Sequence, residues 1–180
     1  MSGTLYIVAT PIGNLSDLTP RAAQTFEQVD FIAAEDTRVT LKLLNHLGIK
    51  KPMVSYYEHN LEERGDQILA RIEAGESCAL CSDAGMPAVS DPGELIVKDA
   101  HARGIRVVPV PAASAAVTAL CVSGQVTGRW VCEGFLPTNR RQKKERLDAL
   151  QNEERTVIFY EAPHKLTTTL EDLEKAFGPD

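Results

Sequence analysis

The chain has 180 residues, of which 43% are hydrophobic and 24% charged, enough apolar side chain for a packed core without disulfide or metal staples. Its formal net charge of −6 argues against a nucleic-acid binder held by overall charge, and no run of about 18 apolar residues marks a membrane span. The N-terminal MSGTLYIVATPIG lacks the basic start and long apolar stretch of a signal peptide, so the expected compartment is the cytoplasm.

Short apolar runs alternate with helical patterns. TLYIVA (4–9) reads as a strand. Thr19 then caps a helix that starts on Pro20, where proline's missing N–H costs nothing. FIAA (31–34) is a second strand, and Asp36 or Thr37 caps a helix whose Val39, Leu43, Leu44 and Leu47 recur at helical spacing before Gly48 stops it. PMVSY (52–56) is a weaker third strand, followed by a helix capped by Asn60 with Leu61, Ile68, Leu69 and Ile72 on one side and Gly75 at its end. SCALCS (77–82) is the fourth strand, the helix from about Gly93 to Arg103 ends at Gly104, and IRVVPV (105–110) is the fifth. A small-residue helix, SAAVTALCVSG (114–124), closes the unit.

Near-continuous apolar strands alternating with helices predict an α/β fold, a parallel-sheet αβα sandwich with both faces covered, over about residues 1–122. A second, partial α/β domain over 123–180 offers strand RWVCEGF (129–135), a basic helix at about 138–151, strand RTVIFYE (155–161) and a helix at about 164–177. Two strands rarely make an independently stable layer, so this domain reads as incomplete.

Cys78 and Cys81 have the C-x-x-C spacing of a zinc or redox site, but CALC lies inside an apolar strand pattern, and Cys121 and Cys132 form no matching pair. The cysteines therefore read as buried and reduced. His46, His59, His101 and His164 are scattered, and no metal is expected. Residues 139–146, NRRQKKER, set Arg140, Arg141, Lys143, Lys144 and Arg146 against one acid. That cluster is either a solvated helix face or a local phosphate-binding patch.

Ligands of an open parallel sheet bind at the carboxyl ends of its strands. The loops there are TPIGNLSDLT (10–19), EDTR (35–38), YEHN (57–60), SDAGMPAVSDPG (82–93) and PAASAA (111–116). Each taken singly fits a turn or a helix cap. Together they gather small, turn-forming and acidic residues at one edge. The first loop has one glycine where a dinucleotide fingerprint needs three, and no Walker pattern is present.

LYIVATPIGNLSDLT (5–19), AAEDTR (33–38), SDAGMPAVSDPG (82–93), EGFLP (133–137) and FYEAPHKL (159–166), in this order, resemble the tetrapyrrole-methylase superfamily. They are most similar to its bacterial branch that methylates a cytidine ribose in 16S ribosomal RNA. TPIGN replaces the glycine-rich first loop of the porphyrin and corrin methylases, and SDAGMP replaces their G-G-D-P. The resemblance implies a class III methyltransferase fold with S-adenosyl-L-methionine in a cleft between two α/β domains. Ile12, Gly13, Asp83, Ala84, Gly85, Met86, Pro87, Ala88, Val89, Ser114 and Ala115 would line the cofactor, with Tyr160 and Glu161 closing the cleft. Asp83 would accept hydrogen bonds from a ribose or the methionyl amine, and backbone groups free at Gly85 and Pro87 would read the adenine edge.

A ribose 2′-hydroxyl is a poor nucleophile that a base would assist. Glu35, Asp36, His59, Glu161 and His164 are candidates, with Glu35 and Glu161 put first. Arg38, Arg140, Arg141, Lys143, Lys144 and Arg146 would meet RNA phosphate. The implied partners are 16S rRNA or the small ribosomal subunit and a second copy of the chain in a homodimer. Pro111-Ala112-Ala113-Ser114 replaces the family's P-G-P-S, which puts the local backbone of that pocket in question. The family's chain also runs further, so a C-terminal truncation is expected. The alternatives are a corrin or porphyrin methylase, or an inactive cofactor-binding or dimerising fragment. Within the long loop, Asp83 is the functional candidate, while Ser90 or Asp91 would cap a helix that Pro92 begins.

Overall fold

The computed structural model describes residues 2–57, 60–89 and 93–179. It divides into two compact units, Met1–Ala115 and Ala116–Asp180.

In the first unit β1 (Thr4–Val8), α1 (Pro20–Gln28), β2 (Phe31–Ala34), α2 (Thr37–Leu47), β3 (Met53–Ser55), α3 (Leu61–Glu73), β4 (Cys78–Cys81), α4 (Glu94–Ala102) and β5 (Arg106–Val110) follow in strict alternation. The strands form one sheet in the order β3-β2-β4-β1-β5, with every pairing parallel. The apolar runs are continuous because both faces are buried. Leu5, Ile7, Phe31, Ala33, Cys78 and Leu80 point to one face, under α3 and α4. Val8, Ile32, Ala34, Ala79 and Cys81 point to the other, under α1 and α2. Period-2 alternation therefore places Cys78 and Cys81 on opposite faces of the sheet, and a strand-borne C-x-x-C cannot close on one ion. Both thiols are buried, and burial pushes the Cys81 thiol up to about 12.

The helix boundaries follow local chemistry. Thr19 Oγ1 accepts from Ala22 N–H and Pro20 opens α1. Asp36 caps α2 by accepting from Arg38 N–H, and Gly48 ends that helix at φ 70°. One expected cap is corrected. The Asn60 side chain makes no cap hydrogen bond to α3. Its Oδ1 accepts from Tyr57 N–H and its amide donates to the Ser55 carbonyl, so it fastens the end of β3 instead. The expected cap at Ser90 or Asp91 before Pro92 lies outside the described residues, as does His59.

In the second unit α5 (Ala115–Val122) leads to β6 (Trp130–Phe135), α6 (Arg140–Ala149), β7 (Thr156–Tyr160) and α7 (Leu166–Phe177). β6 and β7 pair in parallel as a two-stranded sheet, with a bulge between Cys132 and Gly134. Cys121 and Cys132 are exposed, against the expectation of burial: Cys121 lies on an uncovered side of α5, and the two-stranded layer covers too little to enclose Cys132.

Candidate functional site

The loops that follow β1, β2 and β4 are tied into one rim at the carboxyl end of the sheet. Thr10 and Gly85 form an isolated antiparallel bridge, with Thr10 N–H donating to the Gly85 carbonyl at 2.9 Å and Gly85 N–H to the Thr10 carbonyl at 3.1 Å. Thr10 Oγ1 donates to the Ser82 carbonyl at 3.2 Å. The second tie is a carboxylate exchange: Asp36 N–H donates to Asp83 Oδ1 at 3.1 Å, and Asp83 N–H donates to Glu35 Oε2 at 3.3 Å. Two acidic loops far apart in sequence thus hold each other through backbone donors.

Beside this rim lies a cleft of about 280 Å³, lined mainly by apolar groups of Pro11, Leu15, Val39 and Leu43, with Asp83 and Lys42 at its polar side. Burial raises the Asp83 carboxyl above its usual range, and the hydrogen bond from Asp36 N–H offsets part of that. Asp36 is opposite in character. Its hydrogen bond from the Arg38 side chain lowers it to about 2. Arg38 itself is 87% exposed at the side chain and makes that pair across the single intervening Thr37.

Of the expected cofactor residues, Gly13 and Asp83 line this cleft. Ile12 and Gly85 meet on another side of the rim, where a β-carbon on Gly85 would stand 3.4 Å from Ile12 Cγ2 and 3.8 Å from the Ala113 carbonyl oxygen. The rim therefore gathers the first, fourth and fifth loops. The Gly85 N–H is given to the Thr10 carbonyl, and its carbonyl accepts from Thr10 N–H with one lone pair left. Ala88 holds a φ of 65°, which an alanine rarely adopts, and a side chain on Gly93 would reach within 3.0 Å of it. The loop is long because it pairs back onto β1's loop and then folds over its own end. Met86 packs against the core beneath it, whereas Val89 is exposed. Ser114 is half-buried and Ala115 exposed at the start of α5. Pro11, Leu15, Val39, Lys42 and Leu43 escaped sequence reasoning. Val39 shares the helical spacing of Leu43, Leu44 and Leu47, yet it stands 37% exposed in the cleft.

In the second unit, Glu161 is firmly held. Thr169 Oγ1 donates to Oε2 at 2.6 Å and Ala162 N–H to Oε1 at 2.7 Å, and these bonds keep its carboxyl below the usual range. The Tyr160 hydroxyl accepts from Ala116 N–H at 3.3 Å. The basic cluster lies on α6, and most of it meets carboxylates. Arg141 pairs with Glu145, Lys144 with Asp148, Lys143 with Asp172 and Arg146 with Glu133. Among the described residues Arg140 alone of the cluster lacks a carboxylate partner. The pairs of Arg141 and Lys144 are exposed and worth little, so those cations are available to exchange partners, whereas Arg146 is held by a Glu133 side chain only 4% exposed. No group of three or more metal-ligating side chains occurs among the described residues, and no described helix is long and apolar enough to cross a membrane.

The family model described as tetrapyrrole (corrin/porphyrin) methylases matches residues 4–180. Ribosomal RNA small subunit methyltransferase I of Haemophilus influenzae is 49% identical over 180 residues, which is 100% of this chain and 64% of that protein. The chain thus spans about 64% of the length of the curated relatives it matches first. Among solved structures, uroporphyrin-III C-methyltransferase from Thermus thermophilus aligns with a TM-score of 0.67 at 20% identity, over 98% of this chain and 76% of that one. The same enzyme complexed with S-adenosylhomocysteine aligns at 0.66 and 19%, over 99% and 78%. At such identities the structural likeness speaks for the fold alone.

Proposed function

The chain belongs to the tetrapyrrole (corrin/porphyrin) methylase family, and we propose that within it the protein is an S-adenosyl-L-methionine-dependent methyltransferase acting on a cytidine 2′-hydroxyl of 16S ribosomal RNA. The relatives at about half identity carry the name of a ribosomal RNA small subunit methyltransferase, whereas the porphyrin methylases align at about a fifth. That contrast, with TPIGN and SDAGMP in the first and fourth loops, favours RNA over a corrin or porphyrin precursor.

The observation that carries the site is the rim itself: Asp83, raised by burial, stands beside an apolar cleft among loops joined by hydrogen bonds. A carboxylate acceptor next to apolar walls fits a cationic methionyl group with a ribose attached, and needs no metal ligands. When bound, S-adenosyl-L-methionine supplies an electrophilic methyl group on a sulfonium. Asp83 would accept from a ribose hydroxyl or the amino group, Gly13 and Gly85 allow close approach, and Ile12 with the half-buried Ser114 bounds the other side. Alignment of the acceptor oxygen with the methyl group supplies much of the rate in such a displacement. Glu35 and Glu161 are the candidates for drawing off the hydroxyl proton; two hydrogen bonds stabilise Glu161 as the anion, which weakens it as a base. Arg38 and the α6 cations would meet RNA phosphate, their exposed pairs yielding to it. A cytoplasmic homodimer completes the reading.

The test supplies methyl-labelled S-adenosyl-L-methionine with small ribosomal subunits that lack the modification. Label in the RNA at a cytidine ribose is the expected result. Label in a corrin or porphyrin precursor and none in RNA would overturn it.

A further inference from the structure

The second unit carries a cavity of about 390 Å³ at the carboxyl ends of β6 and β7, walled by Phe135, Thr138, Glu161, His164 and Lys165. Phe135 is an unusual resident: its side chain closes a strand yet is 58% exposed. Its ring leans on Tyr160 at 5.5 Å between centroids and 46° between planes, and the rest of it is open to solvent. Phe135 pairs in register with Tyr160, so Glu161 follows immediately on the neighbouring strand. Each Glu161 oxygen accepts one protein hydrogen bond and keeps capacity for another. Lys143 also borders the cavity, and its ammonium is already given to Asp172 at 3.1 Å. Among the described residues Lys165 and His164 have no ion pair.

An open aromatic face, an acceptor-only carboxylate and an ammonium without an ion pair around one cavity match the face and the edge of a base and the phosphate of a nucleotide. We propose that this cavity is a nucleotide subsite for single-stranded RNA, in which a base stacks on Phe135, its exocyclic amino group donates to Glu161, and its phosphate meets Lys165. Stacking is indifferent to base identity because every base has a π-face. The carboxylate is not indifferent: it accepts from an amino group and repels a carbonyl oxygen, so cytosine is favoured over uracil. The groove between α6 and α7 borders the same Lys143 and carries Arg140, Lys144 and Lys175 against Asp148 and Asp172, an excess of positive charge toward neighbouring phosphates.

This subsite rests on the proposed RNA substrate, and the experiment separates the two. Fluorescently labelled r(C)12 and r(U)12 are titrated with the chain and with Phe135→Leu, Phe135→Trp and Lys165→Ala, and S-adenosylhomocysteine binding is measured on each variant. Phe135 is exposed, so its variants should unfold at the parent midpoint. The expected result is tighter binding of r(C)12 than of r(U)12 by the parent and about a tenfold loss with Phe135→Leu, as for removal of one stack. Phe135→Trp should bind like the parent, Lys165→Ala should bind weakly with a shallower salt dependence, and S-adenosylhomocysteine affinity should stay within about twofold throughout. Parent-like r(C)12 binding by Phe135→Leu, equal affinity for the two oligonucleotides, or a loss of S-adenosylhomocysteine binding in place of RNA binding would each overturn the subsite. A parent that shows the oligonucleotide pattern but binds no S-adenosylhomocysteine would support the subsite and contradict the proposed function.

Discussion

At the amino end of the five-stranded sheet, charged and polar groups are closed on one another, whereas at the carboxyl end they are held apart around a cleft. Arg71 on α3 donates to both Glu76 oxygens and lies 3.5 Å over the Phe31 ring centroid. Ser77 N–H donates to Asp30 Oδ2 at 2.7 Å, and Thr4 N–H to Ser77 Oγ at 3.2 Å. Gly3 passes so close to Glu76 that a β-carbon would sit 1.8 Å from its carbonyl oxygen. These contacts join the strands and the α3–β4 loop to one another. At the other end Glu35, Asp36 and Asp83 are acidic neighbours whose tie is made by backbone N–H donors, with the exposed Arg38 paired to Asp36 and Lys42 on the polar side of the cleft. Under the proposed function, one sheet separates stability from function: one edge is neutralised and packed, the other keeps a carboxylate raised by burial beside open space.

Substitutions at the two ends should break that contrast in a definite order. Phe31→Ala removes a fully buried ring and should cost about 3–5 kcal/mol, read as a fall in the urea midpoint, with ligand binding lost only as the protein unfolds. Asp83→Ala should do the reverse. The methylation rate should fall by about a hundredfold, the scale set by a misplaced reacting group, while the urea midpoint stays near the parent's.

A smaller effect follows from pH. Burial raises Asp83 in the folded state, so its ionisation disfavours folding. The stability associated with its neutral form is complete below the unfolded pKa and is lost as pH rises through the folded one. Asp83→Asn should therefore be more stable than the parent at neutral pH, and the gain should vanish as pH falls below the ordinary aspartate range. Asp36 has the opposite sign: it is lowered to about 2, and its contribution is complete above the ordinary aspartate range and is lost as pH falls from there through about 2. Thermal midpoints of parent, Asp83→Asn and Asp36→Asn from pH 2 to 8 would show the two slopes, and parallel curves would remove the distinction. The smallest change should come from Glu76→Gln, whose ion pair is partly exposed on both sides, and no change in S-adenosylhomocysteine affinity should accompany it.

Much of the fold was legible because both faces of the sheet are buried. FIAA and CALC are short, apolar and bounded by polar turns, which marks them as interior parallel strands, and Thr19-Pro20 and Gly48 mark helix ends by local chemistry alone. What escaped depends on distant partners. Asn60 looks like a cap until Tyr57 and Ser55 claim its side chain. Gly85 looks like a free turn residue until Thr10 pairs with it. Val39 has core periodicity, and only the position of the first loop turns it into a cleft wall. The basic run 139–146 gave no sign of its carboxylate partners Glu133 and Asp172, which lie outside the run.

Calorimetric titration of S-adenosylhomocysteine into the parent chain, Asp83→Ala and Glu76→Gln tests the division of the sheet most directly. The expected result is binding by the parent and by Glu76→Gln with equal affinity, and at least a tenfold loss with Asp83→Ala at an unchanged urea midpoint. Equal affinity in Asp83→Ala and the parent, or a loss confined to Glu76→Gln, would contradict the placement of the cofactor at the carboxyl edge.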